Sequence, residues 1–129
     1  LSKGVSLTII VPHKSDHLFV KEAAYPYFRK LLPLGAKVYQ YQKGFFHAKY
    51  IVIDDYLVDV GTANFDKRSL FLNYEINCYI TDESSISKIK KEMLEDINNS
   101  TPLLVHQLQN LPFKDTLKER VGTFISSLL

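Results

Sequence analysis

The sequence predicts an α/β fold in which a mixed β-sheet is flanked by helices. Near the start, residues 5–11 read VSLTIIV, a run of apolar and β-branched side chains that is typical of a buried parallel strand. In the middle, short apolar runs alternate with turn residues, and in the second half two longer segments repeat apolar residues at helical spacing. The 129 residues are 46% hydrophobic and 23% charged, so the chain can bury one core, which excludes a disordered or fibrous protein.

The first third of the chain predicts a strand, a loop, a helix and a second strand. The loop of residues 12–17 follows the buried strand and is rich in polar groups. Open α/β sheets place ligands at such loops, and a solvated connection is the other interpretation. Residues 18–32 predict a helix that a proline and a glycine end. Residues 36–41 predict the next strand.

The middle of the chain predicts a β-hairpin and one more strand. Residues 48–53 and 56–60 are two apolar runs around Asp54-Asp55, which is typical of a two-residue hairpin turn. Residues 74–80 (YEINCYI) predict a further strand, in which Cys78 is expected to be a small buried hydrophobic residue.

Two amphipathic helices are predicted at residues 84–98 and 112–129. The chain is thus expected to consist of a main domain at about 1–100 and an amphipathic helical tail at about 101–129. Packing against the main domain is one interpretation of the tail. Because lysine and arginine flank its apolar stripe, lying in a lipid interface is the other.

Charge and cysteine content exclude several classes of function. Sixteen basic and fourteen acidic side chains leave a net charge of +2, so no general basic field indicates nucleic acid. A single cysteine excludes an intrachain disulfide and fits a reducing compartment. No apolar run approaches the roughly 20 residues that span a bilayer. The sequence starts without methionine, and we expect it to be part of a longer protein.

A group of polar residues on the predicted hairpin indicates a binding site for an anion. His47 and Lys49 are two residues apart, so on a strand they share a face. If Asp54-Asp55 alone forms the turn, Thr62 lies opposite His47 and Val60 opposite Lys49. Asn64 then follows on the same side. An imidazole, an ammonium, a hydroxyl and an amide that converge in this way suit the oxygens of a phosphate.

Asp54 is not expected to orient the imidazole of His47. The two residues are seven positions apart along the chain, about 23 Å on an extended strand. Glu75 on the next predicted strand is the better candidate, because a catalytic imidazole needs its second nitrogen held by a hydrogen-bond acceptor. A simple ion pair between Glu75 and Arg68 is the alternative.

These residues resemble a known signature. His47, Lys49, Asp54, Gly61, Thr62 and Asn64 match the spacing of the HKD motif of the phospholipase D superfamily. The continuation GTANFDKRSLFLNYE at residues 61–75 resembles the carboxyl-terminal half of bacterial cardiolipin synthases. The resemblance is clear over about residues 4–82, and it implies that the predicted α/β fold is a phospholipase D-like half-domain.

The resemblance implies a mechanism through a phosphohistidine, without a metal or another cofactor. Its catalytic residues would be His47, Lys49, Asp54 and Glu75, with His47 more often the proton donor than the nucleophile in this half. Lys49, Thr62 and Asn64 would bind the phosphoryl oxygens, and Glu75 would orient His47. The proton donor must be a protonated imidazole, whereas the nucleophile must be a neutral one. Two separate histidines can supply these opposite protonation states.

The sequence contains one HKD motif, whereas the chemistry requires two. The second would come from a preceding portion of the protein or from a homodimer, and the isolated chain is expected to be inactive. The predicted function is cardiolipin synthesis from two phosphatidylglycerol molecules at the bacterial cell membrane. A phospholipase D that hydrolyses phospholipids, a single-motif homodimeric nuclease and an inactive half are the alternatives.

Overall fold

The computed structural model describes residues 1–14 and 20–128. The chain divides into two compact units, the first formed by residues 1–46 and 97–128 and the second by residues 47–96. The elements in chain order are β1 (Thr8–Pro12), α1 (Val20–Ala23), α2 (Tyr25–Leu31), a 3-10 turn (Leu32–Leu34), β2 (Lys37–Tyr41), β3 (Tyr50–Ile53), β4 (Leu57–Gly61), α3 (Lys67–Phe71), β5 (Asn77–Ile80), α4 (Glu83–Asn98), β6 (Ser100–Pro102), α5 (Val105–Gln109) and α6 (Phe113–Leu128).

The first unit contains a three-stranded mixed sheet in the order β1-β2-β6. β1 and β2 are parallel, with Thr8 opposite Lys37, and β2 and β6 are antiparallel, with Tyr39 opposite Pro102. Five buried side chains of this unit form an apolar cluster: Tyr25, Phe28, Val38, Leu103 and Leu108. The predicted α/β fold with a mixed sheet is therefore confirmed.

The predicted helix at 18–32 is divided in two within its described part. α1 ends at Ala23, and α2 begins with Pro26 in its first turn. Proline there lacks the N–H that a continuous helix would bond, so it begins a new helix instead of extending the old one. A 3-10 turn then ends at Gly35, whose φ of 94° lies in the left-handed region that suits glycine.

The terminal helix α6 is joined to α1 and α2 by charged contacts. The guanidinium of Arg29 donates two hydrogen bonds to the Glu119 carboxylate, each of 2.6 Å, and a third of 3.0 Å to the Leu108 carbonyl. Lys118 pairs with Glu22 at 3.8 Å. Phe113 and Phe124 remain exposed on the same helix. α6 therefore packs into the first unit and keeps part of its apolar stripe in solvent.

The second unit contains an antiparallel sheet in the order β3-β4-β5. Val58 of β4 and Ile86 of α4 are its fully buried apolar residues. The Tyr50 hydroxyl donates to Asp96 at 3.3 Å, and burial raises the pKa of this phenol to about 12. The chain thus forms two small sheets where the sequence predicted one.

The β3–β4 loop is longer by one residue than predicted. Ile53 lies opposite Leu57, so Asp54, Asp55 and Tyr56 form a three-residue loop. Asp54 adopts a left-handed φ of 48°, a conformation that aspartate tolerates better than most residues. The prediction of a two-residue turn was therefore wrong, and every cross-strand partner shifts by one residue.

Three short elements were not predicted: α3, β6 and α5. Each has three to five residues, too few to show a periodicity. The expectation that Cys78 is buried was also wrong, since its thiol is exposed. It lies on β5, an edge strand with one paired neighbour in its sheet.

Candidate functional site

The site begins at the end of the β3–β4 hairpin. The Gly61 N–H donates to the Lys49 carbonyl at 3.1 Å, so Lys49 lies opposite Gly61 and not opposite Val60 as predicted. A shift of one residue exchanges the two faces of a strand. The predicted pairing of Thr62 with His47 was therefore wrong, and register alone does not place Thr62 and Asn64 on the side of His47.

Thr62 is held against the start of β5 by three hydrogen bonds. Its hydroxyl donates to Glu75 Oε2 at 2.6 Å and accepts from the Ile76 N–H at 3.0 Å. Its own N–H donates to the Ile76 carbonyl at 3.0 Å. Thr62 and Glu75, which the sequence proposed for the same site, are therefore in direct contact.

The carboxylate of Glu75 is kept ionised by its surroundings. The Thr62 hydroxyl is the largest cause that lowers its pKa below the ordinary value, followed by hydrogen bonds from Ser69 and Asn73 and by the charge of Lys49. Partial desolvation acts in the opposite direction. Glu75 is therefore an anion within the electrostatic reach of the Lys49 ammonium.

The alternative partner proposed for Glu75 is reached only through a third residue. Arg68 Nε donates to Asn73 Oδ1 at 3.4 Å, and Asn73 Nδ2 donates to Glu75 Oε1 at 3.2 Å. Asn73 thus takes the place that a direct ion pair between Arg68 and Glu75 would occupy.

His47 and Lys49 are linked through the backbone. The Lys49 ammonium donates to the His47 carbonyl oxygen at 3.0 Å. His47 is exposed, whereas Lys49 is half-buried. The two residues thus form one short segment in which an exposed histidine is followed by a half-buried lysine whose charge reaches Glu75.

Gly61 and Asn77 show a close packing that the sequence analysis did not identify. A Cβ atom on Gly61 would lie 2.2 Å from the Ile76 carbonyl oxygen and 2.3 Å from Asn77 Oδ1, so only glycine fits. The Asn77 amide accepts from the Ala63 N–H at 3.3 Å and donates to Asp59 at 2.8 Å. Asparagine is depleted in strands, so its presence in YEINCYI was the available signal.

The loop after Asn64 is shaped by its own side chains. Asp66 caps α3 by accepting from the Ser69 N–H at 2.8 Å, and Ser69 is buried. Asn64 itself is exposed, directly after the segment that Thr62 anchors.

Asp54 lies apart from the other motif residues. It occupies the three-residue loop at the far end of β3 from Lys49 and is exposed there. Its left-handed backbone gives this motif position a structural role in the hairpin. In the polar loop at 12–17, His13 is exposed and its carbonyl accepts from Lys21 at 3.0 Å, and residues 15–17 lie outside the described part.

The described side chains and helices lie in residues 1–14 and 20–128. In these ranges, no three His, Cys, Asp or Glu side chains are grouped so as to hold a metal ion. None of the helices there is both long and apolar enough to cross a bilayer.

Comparison with known sequences identifies similar proteins. The sequence model of a family described as cardiolipin synthase, PLD-like domain, matches residues 1–97. The chain is 45% identical over 126 residues to the minor cardiolipin synthase ClsB of Bacillus subtilis, covering 98% of the chain and 32% of that protein. It is 40% identical to the major cardiolipin synthase ClsA of the same organism, with coverage of 98% and 26%. The chain thus spans a quarter to a third of these curated relatives.

Two solved structures share the fold. Nuc from Salmonella typhimurium, a phospholipase D family member, superposes with a TM-score of 0.66 at 19% identity, over 79% of this chain and 66% of that one. NucT from Helicobacter pylori gives a TM-score of 0.60 at 24% identity, over 79% and 68% of the two chains.

Proposed function

Because this chain belongs to the cardiolipin synthase family of phospholipase D-like domains, we propose that it is the carboxyl-terminal catalytic half of a phosphatidyltransferase. Residues 1–100 would form the catalytic half and residues 101–129 its helical tail. The enzyme would act at the bacterial cell membrane and convert two phosphatidylglycerol molecules into cardiolipin and glycerol. The observation that carries the proposal is the hydrogen bond of Thr62 to Glu75 within reach of the Lys49 charge. The exposure of His47 in the same motif supports it.

The first step would transfer the phosphatidyl group to a histidine of the second half. An imidazole nitrogen of that half attacks phosphorus, and the P–O bond to the glycerol headgroup breaks. His47, as the imidazolium, gives its proton to the departing glycerol oxygen. The exposure of His47 supports this role, because the proton donor must reach a leaving group that diffuses away.

The second step would regenerate both imidazoles. A hydroxyl of a second phosphatidylglycerol gives its proton to neutral His47 and attacks phosphorus, while the P–N bond to the other histidine breaks. His47 is then an imidazolium again and ready for the next cycle. A Glu75 carboxylate that stays ionised would favour this charged form and hold its ring, which is the role proposed for it.

Lys49, Thr62 and Asn64 would bind the phosphoryl oxygens. The half-buried Lys49 ammonium supplies a positive charge near the site, and the bonds of Thr62 to β5 fix the start of the segment that ends in Asn64. Donors that are already in place stabilise the charge that develops on oxygen in the transition state without reorganisation.

The second half would dock on the exposed apolar residues that follow the motif in the sequence. Seven large apolar side chains are exposed between residues 65 and 79: Phe65, Leu70, Phe71, Leu72, Tyr74, Ile76 and Tyr79. Exposed patches larger than a few hundred Å² mark interaction sites. The curated relatives are long enough to contain a second domain of this size, since the chain covers 32% of one and 26% of another. This length favours a second phospholipase D-like half as the occupant.

The proposal is tested by turnover of phosphatidylglycerol vesicles, first by the full-length enzyme and then by this chain at several concentrations with its mass measured in parallel. The full-length enzyme should form cardiolipin, and the 129-residue chain should be inactive as a monomer. Formation of phosphatidic acid alone would indicate a hydrolase instead. Activity of a monomer in proportion to its concentration would contradict the need for two halves. Activity that rises with the square of concentration, alongside a dimer, would identify the second half as another copy.

A further inference from the structure

The Asn77 side chain connects two alternate residues of β4 and its extension. Asn77 lies opposite Gly61, and its amide bonds Asp59 on one side of the glycine and Ala63 on the other. We infer that Asn77, oriented by Asp59, is a positioning residue that fixes the peptide segment carrying Thr62 and Asn64. The inference rests on the proposed function, because the proposed function assigns Thr62 and Asn64 to phosphate binding.

The two hydrogen bonds allow one orientation of the amide. The Ala63 N–H needs an acceptor, so Asn77 Oδ1 faces it at 3.3 Å. The Asp59 carboxylate is an acceptor and needs a donor, so Asn77 Nδ2 faces it at 2.8 Å. Asp59 therefore determines which end of the amide is presented to Ala63.

Gly61 provides the space that this side chain occupies. A Cβ atom on Gly61 would overlap Asn77 Oδ1. A side chain at position 61 and the amide of Asn77 therefore exclude each other. The glycine of the motif and Asn77 thus form one structural unit, although they lie sixteen residues apart in the sequence.

Ala63 lies between the two residues that are proposed to bind phosphate. Its N–H belongs to the peptide that joins it to Thr62, and its carbonyl belongs to the peptide that leads to Asn64. A bond to this N–H therefore fixes the direction in which the chain leaves the sheet. Misplacement of a binding group by about 1 Å can lower a rate by about 100-fold.

The test uses a reversed pair. Asn77→Ala removes both bonds. Asn77→Asp retains an acceptor oxygen, but repulsion from the Asp59 carboxylate should displace that oxygen from the Ala63 N–H. In the double variant Asp59→Asn/Asn77→Asp, the new amide at 59 donates to the new carboxylate at 77, and the other carboxylate oxygen still accepts from Ala63. Asn98→Ala, at the exposed end of α4, is the matched control.

Four quantities are measured for each variant: kcat and KM of the full-length enzyme, the affinity of the 129-residue chain for inorganic phosphate, and hydrogen exchange at the Ala63 N–H. We expect Asn77→Ala and Asn77→Asp to lose about 10- to 100-fold in kcat and to expose the Ala63 N–H to exchange. The double variant should recover to within about threefold of wild type in each quantity. Asn98→Ala should match wild type.

The outcomes separate this inference from the proposed function. Wild-type kcat in Asn77→Ala, or a double variant as impaired as Asn77→Asp, overturns the positioning role. If the full-length wild type forms no cardiolipin, but Asn77→Ala weakens phosphate binding about tenfold and the double variant restores it, the proposed function fails and the positioning role stands. If the wild-type chain has no affinity for phosphate and the enzyme no turnover, both fail.

Discussion

The two units of the molecule are stabilised by different interactions. The first unit has an apolar cluster in which Phe28 and Val38 are 6% and 2% exposed. In the second unit, Val58 and Ile86 are the fully buried apolar side chains, and the strand ends are joined mainly by side-chain hydrogen bonds. Apolar burial is non-directional, whereas a hydrogen bond depends on distance and angle. The first unit is therefore suited to supply stability and the second to supply a defined geometry.

This comparison predicts that substitutions will separate stability from function. Shortening a buried apolar side chain in the first unit should lower the free energy of unfolding. It should have little effect on kcat at temperatures where the protein stays folded. A polar substitution in the second unit should alter catalysis or ionisation with little effect on unfolding.

The largest effect is expected for His47→Asn in the full-length enzyme. Removal of an essential proton donor lowers kcat by about 1000-fold or more. His47 is exposed, so the free energy of unfolding should stay within about 0.5 kcal/mol of wild type. His106→Asn, an exposed histidine of α5, is the control and should retain full turnover. Normal turnover by a folded His47→Asn protein would remove His47 from the catalytic site.

The next largest effect is expected in the apolar cluster of the first unit. Phe28→Ala should lower the free energy of unfolding by about 3–5 kcal/mol, because it leaves a cavity among buried side chains. Phe113→Ala removes the same ring from an 81% exposed position and should change unfolding by less than about 0.5 kcal/mol. Urea titrations of the two variants measure the difference. Equal losses would show that the cluster around Phe28 contributes no more to stability than the exposed surface of the same unit.

A smaller effect is expected on the ionisation of Glu75. Thr62→Val removes the largest cause of its lowered pKa, so the pKa of Glu75 should rise, and Thr62→Ser should leave it low. A carboxyl with a depressed folded-state pKa contributes stability above its unfolded pKa and loses it as the pH falls through the folded pKa. Wild type should therefore lose more stability on acidification than Thr62→Val. Titration of the carboxyl carbon by NMR measures the shift.

The controls for this titration follow the order of the causes. Lys49→Ala should raise the pKa of Glu75 less than Thr62→Val does, because the lysine acts only through its charge. Thr81→Val, at an exposed threonine after β5, should have no effect. If Lys49→Ala gave the larger rise, charge and not hydrogen bonding would be the main stabilising influence on this carboxylate.

Elements with a strong local pattern were predictable from the sequence. The helix predicted at 84–98 is present as α4, which begins one residue earlier. Its apolar residues recur at helical spacing over more than four turns, with charged residues on the opposite face. The strand predicted at 36–41 is present as Lys37–Tyr41, where Val38 and two tyrosines have a high preference for strands. The helix predicted at 18–32 was more difficult, since Pro26 can either kink a helix or begin a new one.

The candidate site was predictable as a set of residues but not as a geometry. The motif identifies Lys49 and Thr62 by spacing, and Glu75 was proposed from its place on the next predicted strand. Thr62 and Glu75 are in contact. The register depended on whether Asp54 adopts a left-handed backbone, and the sequence Asp-Asp-Tyr is compatible with both turn lengths. The role of Asn77 depends on the absence of a Cβ on Gly61, which lies opposite it in the sheet. A contact between residues so far apart in the sequence leaves no local sequence pattern.

The smallest expected effect is that of a chelator on the full-length enzyme. Lys49 supplies a positive charge at the proposed phosphate site, and Thr62 and Asn64 supply polar groups that can bind its oxygens, which is the stabilisation that a divalent ion often provides in phosphoryl transfer. We therefore expect turnover in excess EDTA to stay within about twofold of the untreated enzyme.

Because chelation can also alter anionic vesicles, the assay is repeated with a water-soluble phosphodiester. Loss of activity on both substrates, with recovery on addition of one divalent ion, would contradict a mechanism in which side chains alone stabilise the transferred group. In that case Lys49→Ala should leave most of the ion-dependent activity, whereas the phosphohistidine mechanism predicts that Lys49→Ala abolishes turnover with or without added metal.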